Sequence, residues 1–161
     1  MSSDSPRWLD ADQQTAWRLL VSVVTRLPAA LDTQTQRDSN LTHFEYFTLA
    51  QLSEAPGRRV QLSVLAESTN SSLSRLSHVI TRLTTRGWVY REPIAGSRGS
   101  FAVLTDEGYA KVAEAAPAHV EAVRRLVFDG LDHDRVRALT ELGTVLVAQL
   151  DKGIAAGTGR P

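Results

Sequence analysis

The stretch Leu62 to Gly108, LSVLAESTNSSLSRLSHVITRLTTRGWVYREPIAGSRGSFAVLTDEG, decides the fold. It opens with a short helical segment whose apolar positions are Leu62, Leu65 and Ala66. A second segment places Leu73, Leu76, Val79, Ile80 and Leu83 at offsets of 3, 3, 1 and 3, which is one face of a helix. Thr69 or Asn70 is expected to cap this second helix and Gly87 to stop it. So short a link between two helices suits a helix-turn-helix. After Gly87, WVYRE (88–92) and SFAVL (100–104) alternate like short strands around the loop PIAGSRG, with Pro93 at the loop start, where a missing donor matters little. One cation, Arg98, sits in the Gly/Ser-rich tip of that hairpin.

Helices flank the unit on both sides. Leu9, Trp17, Leu20, Val21, Val24, Leu27 and Leu31 give a long helix over 9–38, with Pro28 expected to kink it. In LTHFEYFTLAQLSE, Leu41 and Thr42 read as hydrophobic staple and cap. Glu45 completes a capping box, and Phe44, Phe47, Leu49 and Leu52 supply the buried side. Pro56 and Gly57 end that helix. Downstream, Asp106 and Glu107 start a helix that runs to about Phe128 and contains Pro117. A last helix is capped around Asp132 or Asp134. The tail 153–161 reads as frayed or flexible.

Composition narrows the function. The chain has 161 residues and no net charge, and 42% of it is hydrophobic and 22% charged, as in a globular domain. It has no cysteine, which removes disulfides and thiol chemistry. No apolar run is long enough to span a membrane, and the N-terminus lacks the pattern of a signal peptide, so a cytoplasmic location is expected. The charge is unevenly spread. Between Arg58 and Arg98 seven arginines face Glu67 and Glu92, a net of +5, and the remaining 11 bases and 16 acids give −5. A basic segment in an acidic scaffold fits a nucleic-acid reader.

The polar face of the second helix supplies the candidate contacts: Ser71, Ser72, Ser74, Arg75, Ser77 and His78, with Arg82 a turn later. In a helix-turn-helix the second helix enters the DNA major groove. Small hydroxyls permit close approach, and Arg75 is the natural contact to guanine O6 and N7. Arg82 and Arg86 suit phosphate or solvent. The competing reading of a serine-rich face is simple solvation.

The same stretch resembles the MarR family of bacterial transcriptional regulators. The likeness lies in the spaced series LA, S, S, TR-L, G-V-R, R and LT--G, with LTHFEYFTLAQLSEAPG similar to the helix before the reader unit. It covers Leu41 to Gly108 in detail and the whole chain in element order. The resemblance implies a mainly α fold with a small β-hairpin wing: a winged helix-turn-helix lobe (41–105) and an α-helical dimerisation region (1–38 and 106–152). It implies a homodimer on a pseudo-palindromic operator of double-stranded DNA, acting as a repressor. The exposed apolar content of the terminal helices agrees with a partner. The wing would carry Ser97, Arg98 and Ser100 to DNA, with Arg98 in the minor groove. Here the chain departs from the family, which usually has an aspartate where Gly96 stands, so a more mobile tip is expected. Family members often respond to small phenolic or aromatic effectors, for which Trp17, His43, Tyr46 and Phe47 are candidate lining.

No metal, cofactor or enzymatic constellation emerges. His43, His78, His119 and His133 are scattered, Asp132 to Asp134 reads as a helix cap, and no nucleophile–base pair or phosphate loop is present. The alternative to a regulator is a winged-helix protein–protein adaptor without DNA binding. An adaptor has little use for a basic reader and wing.

Overall fold

A computed structural model describes residues 6–158. The chain divides into two compact units, Met1–Val120 and Glu121–Pro161. The expectations for residues 1–5 of the dimerisation region and 159–161 of the tail lie outside the described residues.

The first unit begins with helix α1, Ala11–Ser39. Asp10 caps it by accepting from the Gln13 amide at 2.8 Å while Gln13 Oε1 accepts from the Asp10 amide. The helix runs unbroken through Pro28, and only Leu31, Gln34, Thr35 and Ser39, near its end, are buried. Its N-terminal part exposes Trp17, Leu19, Val23 and Val24. Helix α2, His43–Glu54, starts with the expected capping box between Thr42 and Glu45. Leu49 and Leu52 are buried as expected, joined by Tyr46 and Thr48. Phe47 is not: it is 37% exposed, one step round the helix from the buried face.

A tight turn at Gly57, whose φ of 63° suits glycine, leads into strand β1, Arg59–Gln61. Helix α3, Leu62–Ser68, and helix α4, Leu73–Thr85, follow. Strands β2, Val89–Pro93, and β3, Ser100–Leu104, form the hairpin. The sheet is antiparallel in the order β1-β3-β2, with Val60 and Arg91 on either side of Ala102. The hairpin is thus two strands of a three-stranded sheet whose third strand precedes the helix-turn-helix.

Two details of α4 differ from expectation. Its cap is Ser72, whose hydroxyl accepts from the Arg75 amide, not Thr69 or Asn70. Asn70 sits in the turn with φ 47° and Thr69 ends α3, so the helix starts later. Leu73, in the first turn, is 53% exposed, and the buried stripe is Leu76, Val79, Ile80 and Leu83. That stripe joins Leu41, Leu49, Leu52, Leu65 and Val89 in one core.

Thr105 and Gly108 close the lobe. The Thr105 amide donates to Trp88 O and its hydroxyl to Gly87 O, and that hydroxyl accepts from the Gly108 amide. Helix α5, Asp106–Val123, starts there and passes through Pro117 without interruption. The LT--G spacing is therefore a cap followed by a residue with no side chain.

In the second unit a π-helical turn, Arg124–Phe128, precedes helix α6, His133–Ala155. Asp132 caps α6 by accepting from the Arg135 amide. None of the residues of α6 is buried. The expected tail is helical as far as Ala155, and Gly157, at φ 90°, follows the helix end. Among the described residues no helix is long and apolar enough to cross a membrane.

Candidate nucleic-acid interface

Helix α4 presents its polar residues in three different states. Ser74, Arg75 and His78 are exposed. The Arg75 guanidinium lies over the Phe44 ring, 4.7 Å from its centroid. Ser72 uses its hydroxyl as the helix cap, and Ser71 Oγ lies 3.2 Å from Thr69 Oγ1 within the turn. Ser77 is half-buried and accepts from Arg91 of β2.

Arg82 is tied down. Its Nε donates to Glu45 Oε1 at 3.0 Å, and Glu45 is buried. Burial works against the Glu45 charge. Hydrogen bonds from the Thr42 amide, the Arg82 side chain and the Thr42 hydroxyl outweigh it and hold the carboxyl below its ordinary value. Arg82 thereby links α4 to the start of α2. Arg86 donates to Asn40 O and lies over the Trp88 ring.

An open cleft of about 540 Å³ runs along this face. It is lined by Asp32, Thr42, Phe44, Ser72, Ser74, Arg75, His78, Val79 and Arg82, so most of the expected reader residues share one concave surface. Ser71 and Ser77 are not part of its lining.

The wing tip is ordered by its own bonds. The Ile94 amide donates to Gly99 O, the Ser97 amide to Ile94 O, and the Gly99 amide to Ser97 Oγ at 3.0 Å. Gly96, third in the turn from Ile94 to Ser97, has φ 70°, as a type II turn requires. Glycine at 96 thus serves the turn, and an aspartate there would carry left-handed strain that offsets any stiffening. Ser97 Oγ accepts within the tip, and Ser100 is half-buried opposite Pro93. Arg98 is exposed, with no ion pair or side-chain hydrogen bond to any described residue.

No family model matches the chain, and no curated protein matches it significantly. Solved structures do. Sco3205, a MarR family transcriptional regulator from Streptomyces coelicolor solved in complex with DNA, is 42% identical over 90% of this chain and 92% of its own, with a TM-score of 0.84. The chain belongs to the MarR family of transcriptional regulators. AbsC, a MarR family regulator from the same organism, is 37% identical over 91% of this chain and 99% of its own, at a TM-score of 0.83. Wild-type MarR from E. coli shares the fold at a TM-score of 0.67, with 21% identity over 81% of this chain and 95% of its own.

In this MarR-family chain the expected effector residues are only partly brought together. His43 stacks on His119 of α5 with centroids 5.6 Å apart, and Tyr46 lies against the same His119 ring at 4.3 Å. Trp17 and Phe47 have no aromatic contact among the described residues. The Nδ1 atoms of His43 and His119 are buried without a hydrogen-bond partner. His119 was not foreseen, because nothing in the sequence signals its pairing with a residue 76 positions away.

The histidine pair predicts a pH dependence of stability. Burial pushes His43 below its ordinary 6.5, against an upward pull from Asp32. Burial and then His43 push His119 down. The unfolded chain therefore binds protons that the folded lobe resists, so stability is full above about pH 6.5 and falls as pH drops below it. Thermal midpoints between about pH 7 and pH 5 should fall more steeply in the wild type than in a His43→Gln/His119→Gln variant. Parallel pH curves for the two proteins would refute this.

Sequence reasoning also missed Arg91 and Glu45. Alternation along β2 was a usable signal for Arg91: it shares a sheet face with buried Val89. Glu45 was recognised only as a capping residue.

Proposed function

We propose that this MarR-family regulator acts in the cytoplasm as a homodimeric repressor that occludes a pseudo-palindromic operator. Helix α4 enters the major groove with Ser74, Arg75 and His78 toward the bases, and Ser71, Ser72, Ser77 and Arg82 at its margins. The hairpin carries Ser97, Arg98 and Ser100 along the backbone, with Arg98 in the adjacent minor groove. The observation that carries the reading is the exposed Ser74–Arg75–His78 face on a helix whose opposite stripe is fully in the core. The 42% identical relative solved on DNA supports it. Exposed apolar side chains on α1 (Trp17, Val23, Val24) and on α6 (Leu142, Val147, Leu150) support the dimer. The unpartnered imidazole nitrogens of His43 and His119 beside Tyr46 support a small aromatic effector there, which would release DNA by changing the spacing of the two α4 helices.

The test is a salt-dependent gel shift on DNA upstream of the chain's own gene. Binding with sequence preference, weakening steeply with salt, is expected, and absence of any preference at low salt would sink the reading. Arg98→Ala should weaken binding by less than the ~1–3 kcal/mol of a base-reading pair, mainly where A·T-rich flanks narrow the minor groove. Equal loss on every flank sequence would remove Arg98 from the minor groove.

A further inference from the structure

We propose that Arg91 is a positioning residue that fixes the hydroxyl of Ser77 as a hydrogen-bond donor to DNA, so that the two residues together select one base. The inference rests on the DNA-binding reading above.

The geometry is a clamp between wing and reader. Arg91 Nη2 donates to Ser77 Oγ at 2.8 Å, to Ser77 O at 2.9 Å and to Thr81 Oγ1 at 3.3 Å. Arg91 lies on β2 and its partners on α4, fourteen residues away for Ser77. A guanidinium only donates, whereas a serine hydroxyl has one donor and two acceptor positions. The contact at Ser77 Oγ therefore uses an acceptor lone pair and leaves the O–H to find an acceptor away from Arg91.

Neighbouring hydroxyls show what that O–H does not do. Thr81 donates back to Ser77 O at 2.9 Å, Thr84 to Ile80 O and Thr85 to Thr81 O, each one turn back along the helix. Thr81 therefore spends its proton within α4 and also receives Arg91. Ser77 makes no such bond to Leu73 O, and no described residue accepts its proton. Ser77 stands three residues after exposed Ser74 and next to exposed His78, at the edge of the face assigned to the major groove.

One lone pair stays free, but the guanidinium charge beside it polarises the hydroxyl toward donating and disfavours a second incoming N–H, so Ser77 reads base edges asymmetrically. Guanine O6 and N7, adenine N7 and thymine O4 accept a hydrogen bond there, and cytosine presents its N4 amino donor. Ser77 held this way disfavours cytosine at one position of each half-site. The same clamp fixes where β2, and with it the wing, sits relative to α4.

The experiment measures binding of the full-length protein to a set of operators carrying every single-base change, at fixed salt. The wild type should show one position per half-site where cytosine is disfavoured and the other bases are tolerated. Ser77→Ala should flatten that position by roughly 3- to 10-fold, the scale of one neutral hydrogen bond. Arg91→Met keeps the apolar stem and removes the donors. Losing a charge weakens binding to all sequences alike, so the readout is the ratio between bases. That ratio should flatten at the same position as in Ser77→Ala, and the Ser77→Ala/Arg91→Met double variant should be no flatter than Ser77→Ala alone. Arg91→Lys, which restores one donor, should recover part of the ratio, and it stands in for Arg91→Met if that variant does not fold. Flattening at different positions, additive effects, or a position that prefers cytosine would each overturn the assignment while leaving the regulator reading intact. A wild type with no base preference anywhere would overturn both.

Discussion

Gly108→Ala should cost about 3 kcal/mol of stability or more, the upper end for forcing atoms into a packed site. A Cβ at 108 would lie 2.1 Å from Trp88 O, 2.9 Å from Trp88 C and 2.7 Å from Leu104 Cδ1. The Leu104 methyl could turn aside at some expense. The Trp88 carbonyl cannot, because it accepts from the Thr105 amide at 3.0 Å, and Thr105 is also held by Gly87 O. Moving it would loosen both the start of β2 and the cap of α5. Alanine gains about 1 kcal/mol of helix propensity over glycine, which is too little to compensate. Urea unfolding of the two proteins at equal concentration decides the matter. An unchanged midpoint would mean that α5 can slide off the Trp88 backbone without loss.

Arg75→Ala should weaken operator binding by about 1–3 kcal/mol, a loss of roughly 5- to 150-fold, while binding to scrambled DNA changes far less. The exposed guanidinium lies over Phe44 and has no ion pair among the described residues to hold it elsewhere. Its side-chain N–H groups make no hydrogen bond to a described residue, which suits a bidentate contact to guanine. Arg75→Lys should restore little, because an ammonium cannot make the forked contact. Fluorescence anisotropy on operator and scrambled duplexes at several salt concentrations separates the possibilities. Equal losses on the two duplexes, with a salt slope lower by about one, would make Arg75 a phosphate contact.

What was legible in the sequence was local. The Thr42–Glu45 capping box, the apolar positions of α3, the buried stripe from Leu76 to Leu83 and the two hairpin strands all declare themselves within a few residues. Strand β1 does not. Its three residues exist as a strand only through pairing Arg59 with Val103 and Val60 with Ala102, and one valine makes no pattern. The α4 cap was ambiguous because Thr69, Asn70, Ser71 and Ser72 all favour caps, and the left-handed turn at Asn70 selects the last of them. Side-chain contacts across the fold were the least legible part of the candidate site. Periodicity placed Arg82 and Ser77 on a polar face, but it carries no information on Glu45, 37 residues before Arg82, or on Arg91. The extent of the α6 C-terminus was underestimated because Ile154 and Ala155 carry the helix past Gly153 to Ala155.

Helix α6 has a consequence for how long the protein survives. Its 23 residues include none that is buried. Most helical stability in proteins comes from packing of one face, and α6 gains little of that within its own chain. In the proposed dimer its order comes from the second copy, so the stability of α6 rises with protein concentration, while the lobe keeps its own core. A cell that holds few copies would then hold chains with an open α6, which proteases cut first. The copy number of the regulator would set its own half-life, with newly made chains short-lived until enough of them have accumulated to pair.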